Sequence, residues 1–172
     1  MKKTAMVYLL LLAKPERELF CDVVRILRKQ FRTPHFEPHL TLLVTTKDQS
    51  SPSKVLRSVQ ARPIRLAARG VAFSEKFTKT LFVRFKSSPQ LRKLVVDLGR
   101  AAKTRAKAPS DPHVSLLYKK ISRATKKELA KVIRLPFRSV RFDSIAAVRL
   151  TLPVRTAADV QKWKIVAKKS LH

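Results

Sequence analysis

Apolar positions in this chain alternate between short unbroken runs and helical spacings. Tyr8 to Ala13 is a continuous apolar run, which suits a central strand buried on both faces. Pro15 follows where helices begin, and Leu19, Phe20, Val23, Val24, Ile26, Leu27 and Phe31 recur at helical spacing among Arg and Lys. Pro34 and Pro38 end that helix, and Leu40 to Thr45 reads as a strand. Lys47 to Ser53 is polar and turn-like, and Val55 to Ala61 suits a short helix. Ile64 to Phe73 and Leu81 to Phe85 read as strands, joined by a basic aromatic loop from Ser74 to Thr80. Pro89 opens a second long helix, with Leu91, Leu94, Val95, Leu98 and Ala102 on one face. After a basic loop, Lys103 to Asp111, comes a strand from Val114 to Tyr118. Thr125 with Glu128 three residues later has the form of a capping box for a helix to Arg134. Val140 to Leu152 and Trp163 to Ala167 supply the last strands. The alternation predicts an α+β fold or α/β sandwich with a mixed sheet.

The pattern repeats. With an offset of 74 positions and no gap, Pro15 falls on Pro89, Glu37 on Asp111, Pro38 on Pro112 and His39 on His113. Leu40, Thr41, Leu42 and Leu43 then meet Val114, Ser115, Leu116 and Leu117, and Tyr8 to Ala13 lands on Phe82 to Ser87. The reading is one bilobal domain over residues 1–172, with its halves around 8–45 and 82–119. The match to a core strand also decides how Tyr8 to Ala13 is read. Lys2 and Lys3 before it resemble the start of a short signal peptide, but the run leads into Lys14-Pro15-Glu16-Arg17 without a cleavage site. A strand is the better reading, with a cytoplasmic location expected. No stretch reaches the ~20 apolar residues that span a bilayer.

Residues i and i+2 of a strand share a face. His39 therefore points with Thr41, and His113 with Ser115. A pseudo-two-fold axis between the halves would bring two imidazoles and two hydroxyls to one cleft. That set suits phosphodiester chemistry. One neutral and one protonated imidazole can take a proton from the nucleophile and give one to the leaving oxygen. The hydroxyls can hydrogen-bond the non-bridging phosphate oxygens. A single histidine in a strand is more often packing or surface than catalyst. Two copies of Pro-His-aliphatic-hydroxyl-Leu-Leu, among four histidines in all, favour catalysis.

At His39-Leu40-Thr41-Leu42 and His113-Val114-Ser115-Leu116 the chain resembles the two-histidine (2H) phosphoesterase superfamily, defined by two His-x-Thr/Ser-x motifs. Phe36-Glu37-Pro38, and Tyr118 five residues after His113, are most similar to its cyclic phosphodiesterase branch, which stands close to the 2′-5′ RNA ligase-like members. The resemblance implies a bilobal fold, with antiparallel or mixed sheets lining a central cleft and helices outside. It implies metal-independent opening of a 2′,3′-cyclic phosphate of a nucleotide or RNA end, or of ADP-ribose 1″,2″-cyclic phosphate, to a monoester. His39 and His113 would be the acid/base pair, in an order left open; Thr41 and Ser115 would bind phosphate, and Tyr118 would contact phosphate or base. The same motifs also suit formation or cleavage of a 2′-5′ bond in RNA, and the scaffold without turnover would be a basic RNA-binding module.

Composition narrows the chemistry further. Two glycines 29 positions apart, Gly70 and Gly99, exclude a Walker A loop and a dinucleotide fingerprint. One cysteine excludes an internal disulfide and a zinc site of several thiolates. No cofactor is expected, and 11 carboxylates make a two-metal phosphatase site a poor fit. The net charge of +28, from 39 Lys and Arg, favours a polyanionic partner. Clusters at Lys103-Arg105-Lys107 and Lys119-Lys120-Arg123-Lys126-Lys127 flank the second motif and are expected at the cleft mouth. There they would follow an RNA backbone, or simply be solvated. Phe77 is placed to stack on a base or to cap the core. Trp163 reads as core packing, Cys21 as a small buried hydrophobe, His35 as a rim residue and His172 as terminal. A monomer is expected.

Overall fold

The computed structural model describes residues 1–46 and 51–172, so the turn expected over Lys47 to Ser53 lies mostly outside the described residues. The elements are β1 (Lys3–Leu12), α1 (Glu16–Phe31), β2 (His39–Thr45), α2 (Pro52–Ser58), β3 (Ile64–Phe73), a 3₁₀ turn (Phe77–Lys79) and β4 (Leu81–Phe85). They continue as α3 (Pro89–Ala101), β5 (His113–Leu117), α4 (Arg123–Val132), β6 (Ser139–Leu152), α5 (Ala157–Gln161) and β7 (Lys164–Ser170). The strands form one seven-stranded sheet in the order β1-β2-β5-β4-β3-β6-β7, with a further pairing of β1 to β6.

Every strand pairing among the described residues is antiparallel, the first of the two sheet types that the resemblance implies, in place of the mixed sheet that alternation alone suggests. The reason lies in the connection after α1. Sixteen residues of helix carry the chain ~24 Å away from the end of β1. Residues 32–38, held out of a helix by Pro34 and Pro38, can span about that distance back. The chain therefore re-enters the sheet where it left it, and His39 pairs with Leu11.

β6 closes the arrangement. Its first residues, Ser139 to Phe142, pair with β3, and Ser144 to Arg149 pair with β7 along the same edge. The opposite edge, Phe142 to Leu152, pairs with β1. Alternate β1 residues face opposite ways. Tyr8, Leu10 and Leu12 join the main core with Phe20, Val24 and Leu27 of α1 and Leu91, Leu94, Val95 and Leu98 of α3. Val7, Leu9 and Leu11 form a smaller cluster with Ala146, Val148 and Leu150 on the other face. A strand with apolar neighbours on both faces needs an unbroken apolar run, and Tyr8 to Ala13 is buried throughout.

Several local signals read differently in three dimensions. The cap of α4 is Ser122, whose Oγ accepts from the Thr125 N–H at 3.1 Å, so Thr125 lies inside the first turn. Glu128 pairs with Lys131 instead of closing a box. A true capping box, Thr156 with Asp159, opens the short α5, which the apolar pattern did not announce. Cys21 is half-buried, and burial raises its thiol pKa, which disfavours the reactive thiolate.

The two glycines serve the backbone. Gly70 sits at φ +93° where β3 shifts register against β4, a bulge that L side chains resist. Gly99 lies where the loop after α3 folds back: a Cβ there would meet the Ala106 Cβ at 2.5 Å and the Thr104 carbonyl oxygen at 2.9 Å. Gly99→Ala is expected to lower Tm by several degrees, because the overpacking cost of roughly 1–3 kcal/mol outweighs the helix-propensity gain of about 1. Thermal unfolding checks this; an unchanged or raised Tm contradicts the close approach.

Candidate functional site

The motif strands β2 and β5 meet antiparallel at Leu40 and Val114. Carried one residue each way, that register sets His39 opposite Ser115 and Thr41 opposite His113. Directly opposed residues share a face, so all four polar side chains project together, while Leu40 and Val114 point the other way into the core at 1 % and 0 % exposure. His39, Thr41, His113, Ser115 and Tyr118 all line one cavity of about 410 Å³. The structure thus brings together five of the six residues singled out in the sequence.

Each imidazole is held alike. The His39 Nδ1 lies 2.7 Å from the Glu37 carbonyl oxygen, and the His113 Nδ1 lies 2.9 Å from that of Asp111. A carbonyl only accepts, so both Nδ1 atoms carry the proton and both Nε2 atoms are acceptors turned to the cavity side of the ring. The acidic side chains are pinned in turn. The Arg17 Nε donates to Glu37 at 2.7 Å; the Lys79 Nζ and Arg84 Nε donate to Asp111 at 2.6 and 2.9 Å. Two cations hold the Asp111 carboxyl below its usual range against the opposing effect of burial.

The two histidines differ in burial. His39 is 7 % exposed, and burial, helped by the nearby His113, lowers its pKa to about 4. His113 is half-buried; burial first, then Lys79 and Lys76, lowers its pKa as well. The Tyr118 hydroxyl lies 3.4 Å from the His39 Nε2, a long contact in which the phenol donates. Burial raises the Tyr118 pKa, so it stays a donor. The Ser115 Oγ donates to the Thr78 carbonyl at 2.7 Å. Among the described residues no lysine or arginine lines the cavity.

Some expectations are corrected. Phe77 is not among the lining residues; it packs on the core with its ring 6.2 Å from Tyr118. Trp163 does line the cavity, with its ring 5.8 Å from His39 and 5.9 Å from Tyr118, so it is not simple core packing. The signal was a lone tryptophan between two lysines, which marks a partly exposed ring as well as a core one. Thr78 and Pro153 also line the site, and neither had a sequence signal. The flanking basic clusters do not line it. The Lys119 Nζ caps α1 through the Phe31 carbonyl, and Lys126, 2 % exposed, pairs with Glu75 at 2.8 Å and with the Ser74 carbonyl at 3.1 Å. Among the described residues no group of three or more His, Cys, Asp or Glu could hold a metal ion. Nor, among them, is any helix long and apolar enough to cross a membrane.

Comparison with known proteins places this geometry. No curated protein sequence matches. E. coli LigT complexed with 3′-AMP is similar in structure at a TM-score of 0.59 and 14 % identity, with 98 % of each chain covered. TT0787 of Thermus thermophilus is similar at a TM-score of 0.55 and 20 % identity, with 97 % of each covered. Identities this low show the shared fold. The family model for the 2′-5′ RNA ligase superfamily matches residues 16–152, a span that contains both motifs. The chain accordingly belongs to that superfamily, the two-histidine phosphoesterases, and is a phosphodiesterase-type enzyme.

Proposed function

We propose that this protein opens a 2′,3′-cyclic phosphate of a nucleotide or RNA end, or the related 1″,2″-cyclic phosphate of ADP-ribose, to a monoester without a metal. The observation that carries the reading is the antiparallel pairing that sets two Nδ1-anchored imidazoles and two hydroxyls on one cavity face. Charge supports a diester as the substrate. A cavity lined, among the described residues, by hydroxyls and two imidazoles, of which one is charged, and by no lysine or arginine suits the single negative charge of a diester better than the two of a monoester.

The roles follow from burial. The base must be neutral at working pH, and His39 is. Its Nε2 takes a proton from water as the oxygen attacks phosphorus. The opposite P–O bond breaks, and the imidazolium of the more exposed His113 gives its Nε2 proton to the departing ribose oxygen. Thr41 donates its hydroxyl to a non-bridging oxygen, and Ser115 does the same once its O–H turns from the Thr78 carbonyl to the substrate. The Tyr118 hydroxyl, 3.4 Å from the His39 Nε2, gives up that contact when the attacking water takes its place at the lone pair. The family match also supports a second reading, in which the same pair makes or cleaves a 2′-5′ bond in RNA, because acid and base exchange roles when the reaction runs backwards.

Two outcomes test this. His39→Ala and His113→Ala are each expected to lower kcat on a 2′,3′-cyclic nucleotide by about 10²–10⁴ while EDTA has no effect. Near wild-type turnover in either variant removes the mechanism. The kcat/KM profile should be a bell. Activity rises as His39 loses its proton near pH 4 and falls as His113 loses its own below 6.5, so the optimum lies on the acid side of neutrality. Lys79→Met takes away a cation that lowers the His113 pKa, so the falling limb should move to higher pH. A limb that stays put contradicts the assignment of His113 as acid.

A further inference from the structure

On the His113 side the cavity is bounded by the segment from Ser74 to Thr80. Thr78 lines the cavity, and its carbonyl accepts from Ser115. Two residues earlier the Lys76 backbone is held three ways. Its N–H donates to the Ser74 Oγ at 3.3 Å, and its carbonyl accepts from the Lys79 N–H at 3.0 Å and the Thr80 Oγ1 at 3.1 Å. The exposed Lys76 side chain therefore springs from a fixed point at the rim.

The charges around this segment are sorted. Lys79 is tied to Asp111 at 2.6 Å, and Glu75 is held by the buried Lys126 at 2.8 Å. Arg123, exposed in the first turn of α4, has its guanidinium 5.7 Å over the Phe73 ring and acts on Glu75 across space without pairing with it. Among the described residues, neither Lys76 nor Arg123 forms an ion pair. Lys76 also lies close enough to His113 to lower its pKa, whereas the charged groups that act on His39 are His113 and Glu37. Unpaired positive charge thus reaches the reacting groups from one side. Inside the cavity, a single diester meets hydroxyls and imidazoles. A phosphate one nucleotide further along would lie beyond those groups, where the unpaired cations are.

We infer that Lys76 and Arg123 seat a second phosphate, the diester one nucleotide 5′ of the reacting one, so that an RNA end is preferred to a free cyclic nucleotide. This rests on the cyclic-phosphate reading and adds the side on which the RNA chain leaves the cavity, over the Ser74 to Thr80 segment towards α4.

The test isolates that one charge. The substrate is the dinucleotide ApU ending in a 2′,3′-cyclic phosphate, compared with the same dinucleotide carrying a neutral methylphosphonate linkage. The wild-type protein should open the diester form with a kcat/KM about 3–10-fold higher, the worth of one exposed charge-assisted contact. Lys76→Gln and Arg123→Gln should each bring that ratio towards one. Lys54→Gln removes the same charge from α2, on the helix side of the sheet, and should leave the ratio unchanged. A wild-type ratio of one, or an equal fall in Lys54→Gln, overturns the assignment. Binding gives a readout that needs no turnover, the anisotropy of a labelled ten-nucleotide RNA with a 3′-phosphate across a salt series. Each of the two variants at the rim should reduce the slope of log Kd against log salt by about 0.7. An unchanged slope in both, or the same reduction in Lys54→Gln, also overturns it. If neither dinucleotide is opened, the cyclic-phosphate reading fails by itself and the salt series still decides the second seat. If both are opened equally, only the second seat fails.

Discussion

The site depends on the backbone pairing of Leu40 with Val114. Side chains alternate along a strand, so if either motif strand slipped by one residue at this contact, its histidine and hydroxyl would turn into the core and its Leu40 or Val114 into the cavity. Burial of that apolar side chain favours the observed register by about 1.5–3 kcal/mol, and two misplaced polar groups would add to the penalty. Packing and chemistry therefore select the same register. A bulge follows in both strands: Leu42 is skipped where β2 pairs with β1, and Leu116 where β5 pairs with β4. These two positions are themselves 74 apart, so the strands bend away from each other at matching places and open the cavity.

The histidines then inherit their state from what surrounds them. The carbonyl two residues before each one fixes its tautomer, and the carboxylate of that same residue is tied by a cation. A rotation of Glu37 or Asp111 would carry its imidazole with it, so Arg17, Lys79 and Arg84 act on the chemistry without touching the cavity. The loop from Ser74 to Thr80 is constrained in the same way. The buried Lys126 binds the Ser74 carbonyl, the Ser74 Oγ donates to the Lys79 carbonyl, and the Thr78 carbonyl between them accepts from Ser115. Burial makes His39 the more strongly depressed of the two imidazoles, and the proposed split into base and acid rests on this asymmetry in motifs that look alike as sequence.

Much of this was legible because each strand and helix of the site is announced by local periodicity, and the motif positions recur at one spacing. What escaped is long-range. Leu9 of β1 pairs with Thr41, whereas its counterpart opposite Ser115 is Phe82, 73 positions on. The first strands of the halves are thus one residue out of step with the gapless alignment, a shift that only pairing reveals. The sequence places Trp163 at the last strand but cannot show that β7 lies along β6 beside the site, since that neighbour relation joins distant segments. For Phe77 and Trp163 the choice between core and cavity was a matter of which side of a loop faces the cleft. Periodicity carries no information on that in a 3₁₀ turn of three residues or just ahead of a strand's first residue. The choice between an antiparallel and a mixed sheet escaped the sequence for a related reason. Alternating helices and strands fit both topologies, and the length of the return segment after α1 decides between them.

The charge of the molecule and the neutrality of its cavity belong together. With 39 basic and 11 acidic side chains, most cations have no carboxylate to pair with, and the surface carries a positive field that reaches roughly a Debye length of 8–10 Å into physiological solution. Such a field raises the encounter rate of anions without distinguishing among them. Discrimination falls to the cavity, where uncharged hydroxyls and a shared proton meet the phosphorus. A lysine placed there would hold the dianionic product more tightly than the monoanionic diester and slow its release. On the proposed reading, a positive field outside and a cavity that among the described residues has no lysine or arginine would gather substrate while the site favours the state with one charge.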